Sequence, residues 1–194
     1  PNTTNISFFD RASAEPRRVG GPDGDKFSDK DGNLVSVDAA AIALHGDGGC
    51  LIADNEVNGD AGTVWCWGSN SLGQLGYNQP GGNDIFNVSR TPQQVIFADN
   101  TAFTGAKAIS GGSRHVCVVR DDGTVWCWGS NLKGQLGIGT SDNAFAKPQQ
   151  AVEVQGGNTL TGVDGIVAFS STSCARVAGD AYCWGWNPNG ELGI

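Results

Sequence analysis

Short apolar runs alternate with glycine-containing turns along most of the chain, and no run shows a sustained helical period. The clearest example is the β-branched run 116–119, which is followed by the turn sequence Asp121-Asp122-Gly123 and by a second run, 124–128. Branched and aromatic residues suit a pleated sheet, so this pattern predicts a β-hairpin.

The segment from Val37 to Leu44 is the one stretch whose composition would also suit a short helix, because it is rich in Ala. When Cys50 is laid on Cys117, however, residues 41–43 align with residues 108–110 of a predicted strand. We therefore interpret this segment as a strand as well.

Three anchors recur along the chain in the same order, which indicates internal repeats. The hexad Val-Trp-Cys-Trp-Gly-Ser at 64–69 returns unchanged at 125–130, and a weaker copy stands at 181–186. A Gly-(Gln/Glu)-Leu-Gly motif follows each copy, at 73–76, 134–137 and 190–193. Pro-Gln-Gln occurs at 92–94 and 148–150, with a faint echo at 16–19. A period of about 55–60 residues filled with short strands predicts one four-stranded blade of a β-propeller per repeat.

The repeats predict an all-β fold with about three blades of four antiparallel strands, all in one propeller domain. Residues 1–36 would hold the end of a preceding repeat and an acidic Gly/Asp loop, 37–95 repeat one, 96–152 repeat two, and 153–194 a truncated repeat three. Because an arc of three blades leaves unpaired strand edges, we expect either part of a longer propeller or a subunit that completes a ring or filament by assembly. The first is favoured.

The six cysteines fall two per repeat, which suggests a disulfide framework. A two-residue turn at Ala178-Gly179 would place Cys174 opposite Cys183 in a non-hydrogen-bonded pair, and a three-residue loop at 121–123 would place Cys117 opposite Cys127. Such pairs have Cα atoms about 4.5 Å apart, within disulfide range. Cys50 and Cys66 would close a longer loop. The alternative is that each pair remains as two buried thiols. A zinc site is less favoured, because the sequence has no Cys-x-x-Cys motif and its two His residues lack ligand-like spacing.

The motifs from Gly111 to Cys117 and from Asp122 to Asn131, with the Gly-Gln-Leu-Gly at 134–137, resemble the repeat of the regulator of chromosome condensation family. The resemblance covers about residues 37–194 and implies a seven-bladed propeller in which His115 packs and forms hydrogen bonds. Repeat one departs from it, with Gly48 in place of the His and an insertion around 55–61. Family members with Cys before Trp-Gly resemble secreted microbial proteins.

The charge and hydropathy of the chain limit the classes of partner that it is expected to bind. The chain has 12 Lys+Arg against 20 Asp+Glu, a net charge of −8, and no basic stripe of the kind that nucleic acid requires. The apolar run from Ala39 to Leu44 is far shorter than the roughly 20 residues of a membrane-spanning helix. Persistent disulfides predict a location outside the reducing cytosol, either extracellular or at the cell surface.

Few residues suggest a catalytic or metal-binding role. His115 is more consistent with a structural role and His45 with a loop, and no nucleophile–base set is visible, so we expect no enzyme activity and no cofactor. Carboxylates in the acidic stretch form a weak Ca²⁺ candidate that fails the strict loop pattern, so a solvated loop is favoured. These carboxylates belong to Asp23, Asp25, Asp29 and Asp31.

Aromatic residues and sequons supply the remaining candidates. Trp65, Trp126 and Tyr182 are expected to pack between blades, whereas Trp186 replaces a Ser of the other repeats and is the best candidate for an exposed ligand contact. Three glycosylation sequons begin at Asn2, Asn5 and Asn87, and they matter only in a secreted protein.

These features together predict a non-catalytic extracellular interaction or assembly module, such as a cell-surface, adhesin-like or filament component. Its partner would be a protein or a glycan, including copies of itself or the rest of the propeller. One alternative is a regulatory propeller of the nucleotide-exchange type. Another is a secreted enzyme inhibitor or an enzyme.

Overall fold

The structure is a computed structural model, and it describes residues 19, 27–54, 60–77, 88–141, 143–151 and 158–194. Within these ranges the chain forms thirteen β-strands and no helix. In chain order the strands are β1 (Phe27–Ser28), β2 (Leu34–Val35), β3 (Ala39–His45), β4 (Gly48–Ala53), β5 (Val64–Ser69), β6 (Val88–Gln94), β7 (Ala106–Gly111), β8 (His115–Arg120), β9 (Val125–Ser130), β10 (Ala144–Gln150), β11 (Val163–Phe169), β12 (Thr172–Val177) and β13 (Asp180–Gly185).

The strands form three sheets, ordered β2-β1-β6-β5-β4-β3, β10-β9-β8-β7 and β11-β12-β13. Neighbouring strands are antiparallel except for β1 and β6, which are parallel. We call β3–β6 blade 1, β7–β10 blade 2 and β11–β13 blade 3. This arrangement confirms the prediction of an all-β fold built from antiparallel propeller blades, about three of which are present.

The Ala-rich segment is strand β3, as the alignment predicted. It pairs antiparallel with β4, so that Ile42 lies opposite Leu51 and Ala43 lies opposite Cys50. It also packs against β7 of the next blade. Tertiary pairing therefore overrides the helical propensity of its alanines.

The apolar core lies between the blades rather than inside any one of them. One buried cluster joins Ile52 and Val64 of blade 1 to Val116, Val118 and Trp128 of blade 2. A second cluster joins Cys117, Val119 and Val125 of blade 2 to Val163 and Ala175 of blade 3. Successive residues of β8 thus alternate between the two neighbouring blades, because side chains in a strand have a period of two.

Strands β1 and β2 extend the sheet of blade 1 beyond β6, and Phe27 of β1 packs on the side of that sheet that faces away from blade 2. Phe27 contacts Trp65 edge-on, with 5.6 Å between the ring centroids, and both side chains are buried with Leu51. In the next blade, Trp126 meets Phe97 in the same way at 5.1 Å. Trp126 therefore packs at the interface between blades 1 and 2, as predicted. Trp65 packs against β1 of its own sheet, and Tyr182 is 44% exposed rather than packed between blades.

The glycine of each Trp-Gly pair has a backbone conformation that other residues rarely adopt. Gly68, Gly129 and Gly185 have φ values of 100°, 99° and 110°. A Cβ atom at Gly129 would lie 2.5 Å from the carbonyl oxygen of Arg114. Both the positive φ and the close backbone approach require glycine here.

We expect Gly129→Ala to lower the free energy of unfolding by about 1–3 kcal/mol, because the new Cβ is strained at a positive φ and also meets the Arg114 carbonyl oxygen. Urea denaturation of the variant would measure this loss. Gly179→Ala is the matched control, because its φ is also positive, at 97°, but nothing lies within 4 Å of the new Cβ. Equal losses in the two variants would contradict the contribution of the close approach.

The Gly-Gln-Leu-Gly motif forms a turn, which we call the corner of the blade, and backbone carbonyl groups of this corner accept hydrogen bonds from the next blade. The Gln135 side chain accepts a hydrogen bond from the Lys133 N–H at 2.8 Å, and its backbone carbonyl accepts one from the Trp184 indole at 2.9 Å. In the preceding repeat, the Gln74 carbonyl accepts the Trp128 indole N–H at 3.0 Å. Each of these two Trp-Gly motifs is therefore attached to the corner of the blade before it.

Candidate functional site

Each blade carries one disulfide that joins the two strands of its cysteine hairpin. The bonds are Cys50–Cys66, Cys117–Cys127 and Cys174–Cys183, with Cα–Cα distances of 4.1, 4.2 and 4.1 Å. All six cysteines of the chain are bonded in this way. The first two bonds are fully buried, whereas the third is half-buried.

The turns set these cysteines opposite each other. Val177 pairs with Asp180 across the two-residue turn, so Cys174 lies opposite Cys183. In blade 2 the Arg120 N–H donates to the Thr124 carbonyl at 2.9 Å, and Gly123 has a φ of 77°. Both hairpin registers agree with the predictions from turn chemistry.

Trp186 lies at the surface between blades 2 and 3. Its side chain is 45% exposed, and the Lys133 ammonium lies 5.5 Å from the ring centroid, at cation–π distance. The backbone is fixed, because the Trp186 N–H donates to Ser171 O at 3.0 Å and the Thr172 hydroxyl donates to Trp186 O at 3.0 Å. Leu132, 53% exposed, precedes Lys133 in the chain. We call Leu132, Lys133 and Trp186 the Trp186 surface.

The Trp186 surface is specific to one pair of blades. The same position holds Ser69 in blade 1 and Ser130 in blade 2, and Ser130 is buried. The ring at this surface is therefore exposed, lies beside a cation, and is fixed by two backbone hydrogen bonds. This is the location that the sequence suggested for a ligand contact.

His115 is fully buried and is part of a hydrogen-bonded chain between blades 2 and 3. Its Nε2 lies 2.8 Å from the Ser173 hydroxyl, and that hydroxyl donates to the Gln135 carbonyl at 3.0 Å. Because the hydroxyl has one proton, Nε2 must be the donor to Ser173. Burial lowers the pKa of His115 to about 4, and the nearby His45 contributes to the same shift, so the ring is neutral near pH 7. Its contacts are those of a structural histidine.

The expectation that His45 lies in a loop was wrong. His45 ends strand β3, is 2% exposed, and has no hydrogen-bond partner at either ring nitrogen among the described residues. Burial lowers its pKa to about 4, partly offset by the carboxylate of Asp47. The signal that was missed is the glycine at position 48, which leaves room for this ring.

The acidic stretch uses its central carboxylate to close a turn. Asp29 Oδ1 accepts the N–H groups of Asp31 and Asn33 at 3.0 and 2.8 Å, and Oδ2 accepts the Asn33 amide at 3.1 Å. The Asp31 carboxylate contacts the Lys30 ammonium at 2.7 Å. Among the described residues, no group of three or more side chains is placed to bind a metal ion. Asp23, Asp25 and the sequon residues Asn2, Asn5 and Asn87 lie outside the described residues.

A cleft of about 450 Å³ opens between blades 1 and 2, on the side of the β8–β9 turn. The Arg120 guanidinium at its wall donates to the Thr104 carbonyl at 2.9 Å and lies 5.7 Å from the Phe97 ring centroid. Asp60, Asp121 and Lys107 also line the cleft. The described residues that line it include no His or Cys that could serve as a base or nucleophile. Over the part of the chain that the structure describes, no helix has the length and apolar character needed to cross a membrane.

Sequence profiles with the description "Regulator of chromosome condensation (RCC1) repeat" match residues 61–119 and 122–169, and a second such profile matches residues 106–135. Together these matches cover more than half of the chain. The Arabidopsis thaliana ultraviolet-B receptor UVR8 is 30% identical over 150 residues, which is 76% of this chain and 30% of the receptor. The Mus musculus secretion-regulating guanine nucleotide exchange factor is 29% identical over 138 residues, 69% of this chain and 26% of that protein.

Solved structures agree on the fold. Human WBSCR16 matches with a TM-score of 0.62 and 21% identity, over 80% of this chain and 38% of that chain. Prp20p from Saccharomyces cerevisiae, a protein with binding properties toward Gsp1p and histones, matches with a TM-score of 0.63 and 21% identity, over 81% of this chain and 33% of that chain. The present chain spans about a third or less of the curated relatives it matches.

Proposed function

The chain belongs to the regulator of chromosome condensation (RCC1) repeat family, and on this premise we propose that it is a non-catalytic propeller module that binds a partner outside the reducing cytosol. The observation that carries the proposal is the disulfide at the same strand pair of all three blades. Such bonds persist in oxidising compartments and are reduced in the cytosol. The net charge of −8 favours a protein or glycan partner over nucleic acid.

The compartment is tested by the redox state of the cysteines in protein taken from its natural source. After rapid blocking of free thiols, we expect an intact mass about 6 Da below that of the fully reduced chain, two hydrogens for each bridge. Recombinant protein refolded under oxidising conditions serves as the mass standard. Alkylation of all six cysteines without reductant would overturn the proposed location.

The binding surface is tested by truncating Trp186, whose ring and Lys133 neighbour offer an anchor of the kind that carries much of the binding energy at interfaces. Partner protein or glycan would cover this ring. We expect Trp186→Ala to weaken the binding of fluorescently labelled protein to intact cells by about tenfold or more, since an anchor residue contributes about 2 kcal/mol.

Tyr182→Ala is the matched control, because Tyr182 is a second exposed aromatic residue, 44% exposed, outside the Trp186 surface. We expect this variant to bind as the unmodified chain does. Pretreating the cells with protease or with glycosidase then distinguishes a protein partner from a glycan. Equal loss in both variants, or loss in neither, would refute the assignment of the Trp186 surface.

A second candidate is nucleotide exchange on a small GTPase, which the similarity to a guanine nucleotide exchange factor favours. Release of a fluorescent guanine nucleotide from purified small GTPases tests it. The proposed function predicts that the chain leaves the release rate unchanged. A dose-dependent acceleration would replace it with the exchange function.

A further inference from the structure

Blades 1 and 2 place a buried imidazole at the same position but supply it from different strands. With Cys50 laid on Cys117, His45 falls on Gly112 and Gly48 falls on His115, so histidine and glycine have exchanged places. A Cβ at Gly48 would lie 2.6 Å from His45 Cε1, and a Cβ at Gly112 would lie 2.5 Å from His115 Nδ1. Each ring therefore lies over the glycine of its own hairpin and fills the space that a side chain there would need.

Each imidazole borders the interface with the following blade. His115 contacts Ser173 of blade 3, as described above. His45 lies close to Gly111 of blade 2, where an added Cβ would be 3.2 Å from the His45 Cβ. The β7–β8 turn of blade 2 also contacts the β11–β12 turn of blade 3, since the Ser113 N–H donates to Ser170 O at 2.8 Å. The rings are thus at the two interfaces that hold the arc together.

Among the described residues, neither interface offers an acceptor for an added proton. His45 Nδ1, His45 Nε2 and His115 Nδ1 are buried and have no hydrogen-bond partner there. When Cys174 is aligned with Cys117, Ser173 of blade 3 aligns with Val116 of blade 2. Blade 2 therefore brings no hydroxyl to His45, and the interface between blades 1 and 2 lacks the hydrogen bond that His115 makes at the next interface. A buried charge without an acceptor is strongly unfavourable.

The charged groups that face the two rings are few. Asp47, an exposed carboxylate on the adjoining turn, faces His45, and His45 is the titratable neighbour that helps to lower the pKa of His115. The neighbours of His45 include Gly48 and Gly111, and those of His115 include Gly112 and Ser173. Protonation of one ring therefore disfavours protonation of the other. The carboxylate that offsets part of the added charge, that of Asp47, is exposed to solvent.

We propose that His45 and His115 make the blade interfaces acid-sensitive, so that the contact between blade 1 and blade 2 opens as the pH falls below about 6. Both rings have a lower pKa in the folded chain, about 4, than the ordinary value of 6.5. Stability from their neutral state is complete above pH 6.5 and is lost as the pH falls toward 4. This device would release a bound partner on acidification, and that consequence rests on the proposed function.

The experiment measures hydrogen-exchange protection factors of two indole protons by NMR between pH 6.5 and 5, a window above the ordinary pKa values of carboxylates. The Trp128 indole reports the interface between blades 1 and 2, and the Trp184 indole reports the interface between blades 2 and 3. In the unmodified chain we expect both protection factors to fall, by about tenfold for each titrating histidine.

The variant His45→Phe removes the histidine from the interface between blades 1 and 2 and leaves the other interface unchanged. Phe is the residue that blade 3 carries at the aligned position, Phe169. We expect the Trp128 protection factor to lose its pH dependence while that of Trp184 keeps it. The double variant His45→Gly/Gly48→His restores the ring from the other strand and should restore the pH dependence. An unchanged pH dependence of Trp128 protection in His45→Phe would overturn the proposal and leave the proposed function untouched.

Discussion

Replacing Trp128 by Ala is expected to lower the free energy of unfolding by about 3–5 kcal/mol. The side chain is fully buried in the cluster between blades 1 and 2, with its ring 5.9 Å from that of Phe103. Truncation leaves a cavity at this interface and also removes the hydrogen bond to the Gln74 carbonyl. Urea denaturation followed by circular dichroism gives the difference.

Two further tryptophan variants make this result specific. Trp128→Phe keeps much of the packing but leaves the Gln74 carbonyl without its indole donor, so we expect a loss of about 1–3 kcal/mol. Trp186→Ala removes a partly exposed ring and its contact with Lys133, and it should lower stability by about 1 kcal/mol or less. If Trp128→Ala cost no more than Trp186→Ala, the interface between blades could not be the main site of stabilisation.

Removing the disulfide of blade 2 is expected to lower the free energy of unfolding by about 3 kcal/mol, in the variant Cys117→Ala/Cys127→Ala. The bond closes a loop with a sequence separation of 10, and cross-linking a loop of that length restricts the unfolded chain by about this amount. Replacing both cysteines avoids a free thiol. The midpoint of thermal or urea unfolding, compared with that of the unmodified oxidised chain, gives the measurement.

The bond of blade 3 provides the comparison. Its sequence separation is 9, so the effect on the unfolded chain is nearly equal, but Cys174 and Cys183 are half-buried and their loss leaves less of a cavity. We therefore expect Cys174→Ala/Cys183→Ala to cost somewhat less than the blade 2 variant. Reductant should bring the unmodified chain below both variants. No effect of reductant on the unmodified chain would contradict the contribution of the disulfides.

The fold could be predicted from the sequence wherever local chemistry and the repeat agreed. The turn residues at 121–123 and 178–179 fix the hairpin registers, and each register then determines which cysteines face each other. Glycine after tryptophan marks a position that other residues rarely occupy. These signals are local, so a single sequence is sufficient to show them.

The details that depend on contacts between repeats could not be predicted in the same way. His45 looked like a loop residue because its role depends on the space over Gly48 and on Gly111 of the next blade. The turn of the acidic stretch depends on Asp29, whose carboxylate is committed to neighbouring N–H groups. Trp186 could be identified because it stands where the other repeats have Ser. The ligand that it contacts could not be predicted, because the chemistry of that ligand is not encoded in this chain.

The position of the apolar clusters between the sheets has a consequence for how the chain can be divided. A single repeat, such as residues 96–152, contains both cysteines of its disulfide, but on folding it would leave both of its packing surfaces exposed, including Val116 and Val119. It should therefore stay unfolded when it is expressed alone. Each added repeat contributes one new interface, so thermal stability should rise stepwise with repeat number, as in other proteins whose units stabilise only their nearest neighbours.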